Sequence, residues 1–197
     1  MNRILTRRTL AACMVAMALP LMHGCATSVK ATAKQNPPPT EAFSSFGRIE
    51  IKPVRLAEGQ KANPGTMDKI QANFDKPLKP LLSQWNQRPD NGRRLVIDPV
   101  VEQIEFTHGA KRVLLGPLAG SSGVLMRLYI TDGKGATVAT PEFFQRADAW
   151  AAGFVFGVHD NLMLTRIGEL SSDYVIGNFD RAKGGPTGAD DKAMAAK

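Results

Sequence analysis

The residues able to do chemistry in this 197-residue chain are few and scattered. Ser121 and Ser122 could supply a hydroxyl nucleophile, His108 and His159 a base, and Asp98 an orienting carboxylate. No local motif joins them, and the Gly-x-Ser-x-Gly turn that exposes a nucleophilic serine is missing. Gly116-Pro117-Leu118-Ala119-Gly120-Ser121-Ser122-Gly123 has the glycine content of a phosphate cradle. It lacks the Gly-Lys-[Ser/Thr] that a P-loop needs, and it is not a dinucleotide fingerprint. It reads as a loop entering a strand, with Gly120, Ser121 and Ser122 as candidate contacts for a ligand or partner. Glu102 and Glu105 stand at opposite parity on a strand and are expected to face apart. Two distant histidines make a poor metal site, so neither a metal nor a cofactor is expected, and the chain reads as non-enzymatic.

Cys25 is the residue whose setting points to definite chemistry. Arg3, Arg7 and Arg8 form a basic start without an acid, an apolar stretch runs from Leu10 to Met22, and Gly24 directly precedes Cys25. Leu21-Met22-His23-Gly24-Cys25 resembles the bacterial lipobox, although Met22 and His23 depart from its usual pattern. That resemblance implies cleavage before Cys25 and acylation of its thiol and new amino group. Ala26 follows in place of the Asp that commonly retains lipoproteins in the inner membrane, which points to the outer membrane, facing the periplasm. Thr6-Arg7-Arg8-Thr9-Leu10 matches a twin-arginine signal only in part. The other cysteine, Cys13, lies in the removed segment, so the mature chain can form no internal disulfide. Removal of three arginines leaves 22 basic and 18 acidic residues, a net charge of 22 − 18 = +4. Export argues against nucleic acid as the partner of this basic surplus.

The elements that must position any site follow from patterning. With 43% hydrophobic and 22% charged residues the chain is neither disordered nor polytopic. Residues 1–24 read as a lipoprotein signal peptide, 25–42 as the lipidated cysteine and a flexible tether, 43–180 as one domain, and 181–197 as a disordered tail. Ile49 and Ile51 alternate with charges over 46–54, a half-buried strand. Ile70, Phe74, Leu78, Leu81, Leu82 and Trp85 give one helical face after a cap at Thr66, with Pro77 and Pro80 predicting a kink or a split near Asp75. Strands follow over 94–106, with a bulge expected near Pro99, over 124–131, and over 137–146 beyond the Asp132-Gly133-Lys134-Gly135 turn. A last helix over 161–176, capped by Asp160 and stopped by Gly177-Asn178, carries Met163, Ile167, Leu170 and Tyr174 on one stripe. The order β-α-β-β-β-α predicts an α+β fold, a largely antiparallel sheet with two helices packed on one face.

Gly153-Phe154-Val155-Phe156-Gly157-Val158 places Phe154 and Phe156 between glycines, either as core or as a contact for a partner or lipid. The stretch Gly109–Phe179 also resembles a group of proteobacterial lipoproteins carrying a domain of unknown function. The shared features are Gly109-Ala110-Lys111-Arg112, Gly120-Ser121-Ser122, Thr131-Asp132, Pro141-Glu142-Phe143-Phe144 and Asp160 at the final helix. The resemblance implies a small α+β periplasmic domain on a lipid anchor and transfers no catalytic residue. The expected role is protein binding, to envelope proteins or to a second copy, as an accessory or assembly factor; the alternative is a small-ligand or lipid-binding module.

Overall fold

Strand alternation and two amphipathic helical stripes generate one layer of sheet under one layer of helix. The computed structural model describes residues 29–106, 121–148 and 158–191. The sheet comprises β2 (Arg48–Ile51), β3 (Arg55–Leu56), β4 (Arg94–Glu105), β5 (Ser121–Asp132), β6 (Thr137–Ala139) and β7 (Glu142–Asp148). These segments occupy four positions: β2 and β3 run parallel to one side of β4, β5 lies antiparallel on its other side, and β6 and β7 both pair antiparallel with β5. Helices α1 (Pro64–Trp85) and α2 (Val158–Gly177) lie side by side over one face. The α+β architecture and the β-α-β-β-β-α order therefore hold, with a parallel β2–β4 pair joined through α1 that alternation alone does not reveal.

Helix α1 begins earlier than its stripe suggests. Asn63 is the cap, its side chain accepting from the Thr66 amide at 2.8 Å, and Pro64 opens the helix where no donor is required. The helix passes unbroken through Pro77 and Pro80. Pro80 and Lys76 are exposed, so water can serve the carbonyl that loses its donor. On the opposite side Ile70, Phe74, Leu78 and Trp85 are buried, each contributing roughly 1.5–3 kcal/mol. Asp160 lies inside α2, which begins at Val158, so it is not the cap. The helix stops as expected at Gly177-Asn178, where the buried Asn178 amide donates to the Tyr174 carbonyl at 2.8 Å. The whole α2 stripe Met163, Ile167, Leu170 and Tyr174 is buried.

The bulge in β4 falls between Val101 and Gln103, not near Pro99. Leu128, opposite Pro99, sends its N–H away to Pro141, so Pro99 turns its donorless nitrogen toward the β2–β3 side. Pairing on that side stops at Ile51 and resumes at Arg55, so the missing donor falls where the ladder is interrupted. Past the bulge, Glu105 shares the face of Glu102, contrary to simple parity.

The termini depart most from expectation. Residues 29–42 are not a free tether, and 181–191 are not a disordered tail. Strands β1 (Gln35–Asn36) and β8 (Gly185–Pro186) pair antiparallel, and Val29, Asn36 and Thr187 are buried. Asn178 organises the return by accepting from the amides of Lys183 and Gly184 at 2.7 and 2.9 Å. Gly184 has φ +76° and presses its backbone onto Asn36 and Pro37, where a side chain would not fit.

The helices approach most closely at Gly168. A Cβ there would lie 2.9 Å from the Phe74 nitrogen and 3.0 Å from the Ile70 carbonyl oxygen. Gly168→Val should cost about 1–3 kcal/mol through overpacking and lower the thermal midpoint. An unchanged midpoint would contradict this helix contact.

Candidate functional site

The helices leave the second face of the sheet open, and alternation decides what stands on it. Asp98 and Glu102 of β4, Leu125, Arg127 and Tyr129 of β5, and Glu142 and Phe144 of β7 project there. One half of the face is closed by residues 29–31, where Val29 and Ala31 pack on Leu125 and Phe144.

The middle of the face is a network of charges satisfied by one another. Arg127 reaches Glu102 at 3.1 Å and Glu142 at 3.0 Å. Tyr129 donates its hydroxyl to Glu102, a bond that pushes the phenol above its ordinary pKa and keeps it neutral. Arg55 holds Asp98 in a two-pronged pair at 3.0 and 3.1 Å. Tyr129 is nonetheless 40% exposed, a large ring standing in the open.

Glu142 is the buried member of this network, 4% exposed. Burial alone would push its carboxyl up. The Thr32 hydroxyl and amide and the Ala33 amide donate to Oε1, and with Arg127 they outweigh burial and hold the group below its ordinary value. The Glu142 backbone is held as well, because the Asn36 amide side chain donates to its carbonyl and accepts from its N–H, both at 2.8 Å. Next along β7, Phe144 donates to the Thr187 carbonyl at 2.8 Å, and Thr187 in turn donates to Lys34 and Ala33. Residues 32–36 and Thr187 thus cover the β7 edge.

Of the residues singled out from sequence, Ser122 is fully buried opposite Ala147 and serves the sheet rather than a contact surface. Ser121 pairs with Asp148 where β5 begins and β7 ends. Cys25, Gly120, Phe154, Phe156 and His108 lie outside the described residues. Asp98 stands opposite Tyr129, eight residues or about 26 Å along β5 from Ser121, too far to share a triad with it. Among the described residues, no group of three or more His, Cys, Asp or Glu is placed to hold a metal, and no helix is long and apolar enough to cross a membrane. The carboxylates of this face are occupied by arginine, tyrosine and backbone donors.

No protein-family model and no curated protein matches the chain. Among solved structures it is similar to the PelC dodecamer from Paraburkholderia phytofirmans, at 14% identity and TM-score 0.44, covering 74% of this chain and 98% of that one. It is also similar to the hypothetical protein CT253 from Chlamydia trachomatis, at 14% identity and TM-score 0.38, covering 68% and 99%. A candidate lipoprotein from Caulobacter crescentus CB15 aligns at 13% identity and TM-score 0.34, covering 70% and 93%. These neighbours are bacterial and include a candidate lipoprotein, but at such TM-scores they assign this chain neither an activity nor an assembly.

Glu142→Gln should free the first described residues while the helices stay packed. It replaces charge-assisted acceptance of several donors, a loss of roughly 2 kcal/mol. Amide exchange at Thr32, Ala33 and Thr187 should accelerate at neutral pH. In the unaltered protein the stabilisation is present above the ordinary carboxyl pKa and disappears as pH falls through the lowered folded value. Acidification through that lowered value should likewise reduce the protection of the same amides, measured at each pH against the rate of an unprotected amide. Equal exchange in variant and parent would refute the role given to this carboxylate.

Proposed function

We propose that this chain is an outer-membrane lipoprotein, its domain in the periplasm, that acts without catalysis by binding protein as an accessory or assembly factor. The anchor is supported by the basic start, the apolar run and the Gly24-Cys25 junction. Acyl chains contribute about 0.8 kcal/mol per buried CH₂, so more than one chain holds such a protein firmly.

The binding role is carried by one observation, the exposed Tyr129 ring between the ordered Arg127 and Arg55 on an open sheet face. Tyrosine and arginine carry much of the energy of protein interfaces. Side chains already held by their neighbours lose little freedom on docking. The partner is another envelope protein or a second copy of the chain.

The alternative, a small-ligand or lipid-binding module, has its own support in a cleft of about 440 Å³ beside α1, lined by Ile51, Pro53, Leu78 and Leu82 with Gln71 and Asp75. Lipid retained through purification and seen by native mass spectrometry would favour it.

Two measurements test the proposal. Cys25→Ser should move the protein from membrane to soluble fractions, and unchanged fractionation would count against the anchor. A photo-crosslinking amino acid at position 129 should give a discrete protein adduct in cells, lost when Cys25→Ser is added. Leu162, also 40% exposed but on α2, is the control. Absence of an adduct at 129, or the same adduct from 162, would reject the open face as the contact.

A further inference from the structure

The way the chain enters the domain fixes which end of the sheet can meet a bilayer. Thr32 is bonded to Glu142, opposite Arg127 in the ladder, whereas Val29 packs on Leu125 and Phe144. From Thr32 back to Val29 the chain therefore travels along the sheet toward the end where β4 finishes at Glu105 and β5 begins at Ser121. Val29 is fully buried and cannot swing away without uncovering Leu125 and Phe144. Cys25 is four residues earlier, so it lies within about 14 Å of Val29 even with the chain fully extended.

The helices add a second, independent feature at that end. Helix α2 follows β7, which runs toward it, and the Gln60 side chain just before α1 accepts from Ile104 near the end of β4. Gly168 of α2 meets Phe74 and Ile70 of α1, and Trp85 at the end of α1 stacks on Phe179 just past α2, so the helices run parallel. Both present their N-termini, the positive ends of their dipoles, at the same end of the sheet.

We infer that this end of the domain, with Lys30, Gln103, Glu105 and Arg146 around the entry of the chain, docks on the headgroup layer of the membrane that holds the lipidated Cys25. The inference rests on the lipoprotein reading and adds to it an orientation and a contact surface. The short entry prevents the domain from ranging freely. The far end, with Lys134 and Gln87, points into the periplasm.

The test uses the lipidated mature chain reconstituted into phosphatidylethanolamine–phosphatidylglycerol vesicles containing a headgroup-labelled acceptor lipid. Acylation blocks Cys25, so each introduced thiol is the only one available to a fluorescent donor. Lys30→Cys and Gln103→Cys replace exposed residues near the entry, and Lys134→Cys and Gln87→Cys replace exposed residues at the other end. Leu125, opposite Gln103, is seven residues or about 24 Å along β5 from Asp132 at the Lys134 turn. Donor quenching should be several-fold stronger at 30 and 103 than at 134 and 87. Equal quenching at all four positions, or stronger quenching at 134, would overturn the orientation. Mass spectrometry of the N-terminal peptide separates the two claims. An unacylated Cys25 refutes the lipoprotein reading, whereas an acylated Cys25 with uniform quenching refutes the orientation alone.

Discussion

A carboxylate buried on an edge strand is the constraint around which the rest of this structure is arranged. Glu142 opens β7, and its charge loses water on folding. One arginine cannot satisfy it alone, and the remaining donors come from residues more than 100 positions away, Thr32 and Ala33. Meeting this need draws the start of the chain onto the sheet. Once there, Asn36 and Thr187 occupy the backbone groups of β7 that would otherwise stand open to another strand. A single local demand thus places residues 32–36 beside Thr187 and closes an edge.

The sheet then divides its work between its faces. The helix side is a continuous core of Ile70, Phe74, Met126, Leu128, Phe143, Met163 and Ile167 with their neighbours. On the other side the half toward Ser121 is closed by Val29 and Ala31, and the middle carries charges already matched to each other. Its carboxylates are already bonded to arginine, tyrosine and backbone donors, the basis of the binding role proposed for it. The entry of the chain lies beside the closed half, apart from the exposed Tyr129, so the proposed anchoring and the proposed binding use different parts of one face.

The main elements were legible because their signals are periodic. The Ile70–Trp85 and Met163–Tyr174 stripes and the alternation around Val124–Ile130 are long enough to define a helix or strand by themselves. What escaped has physical reasons. Asn63 and Pro64 stand three and two residues ahead of Thr66, outside the apolar period. The prolines of α1 read as breakers because sequence does not show that Pro80 faces water. The bulge at Val101–Gln103 reverses the parity of Glu105 without leaving a mark of its own.

The charged open face and the docked segments around β1 and β8 were not legible, because two-residue strands have no period and their partners are far away in sequence. Pro37-Pro38-Pro39 and Gly184-Gly185-Pro186 look like linker composition, yet they join a closely fitted pair of segments. Thr32 and Glu142, or Arg55 and Asp98, carry no pairwise signal in one sequence. The most direct measurement of the central claim is a distance. Spin labels at Lys30→Cys and Gln103→Cys, in a chain whose Cys25→Ser change leaves no other cysteine in the mature protein, should give one narrow distribution in pulsed electron resonance. A broad distribution, typical of a free tether, would contradict the docked entry on which the account depends.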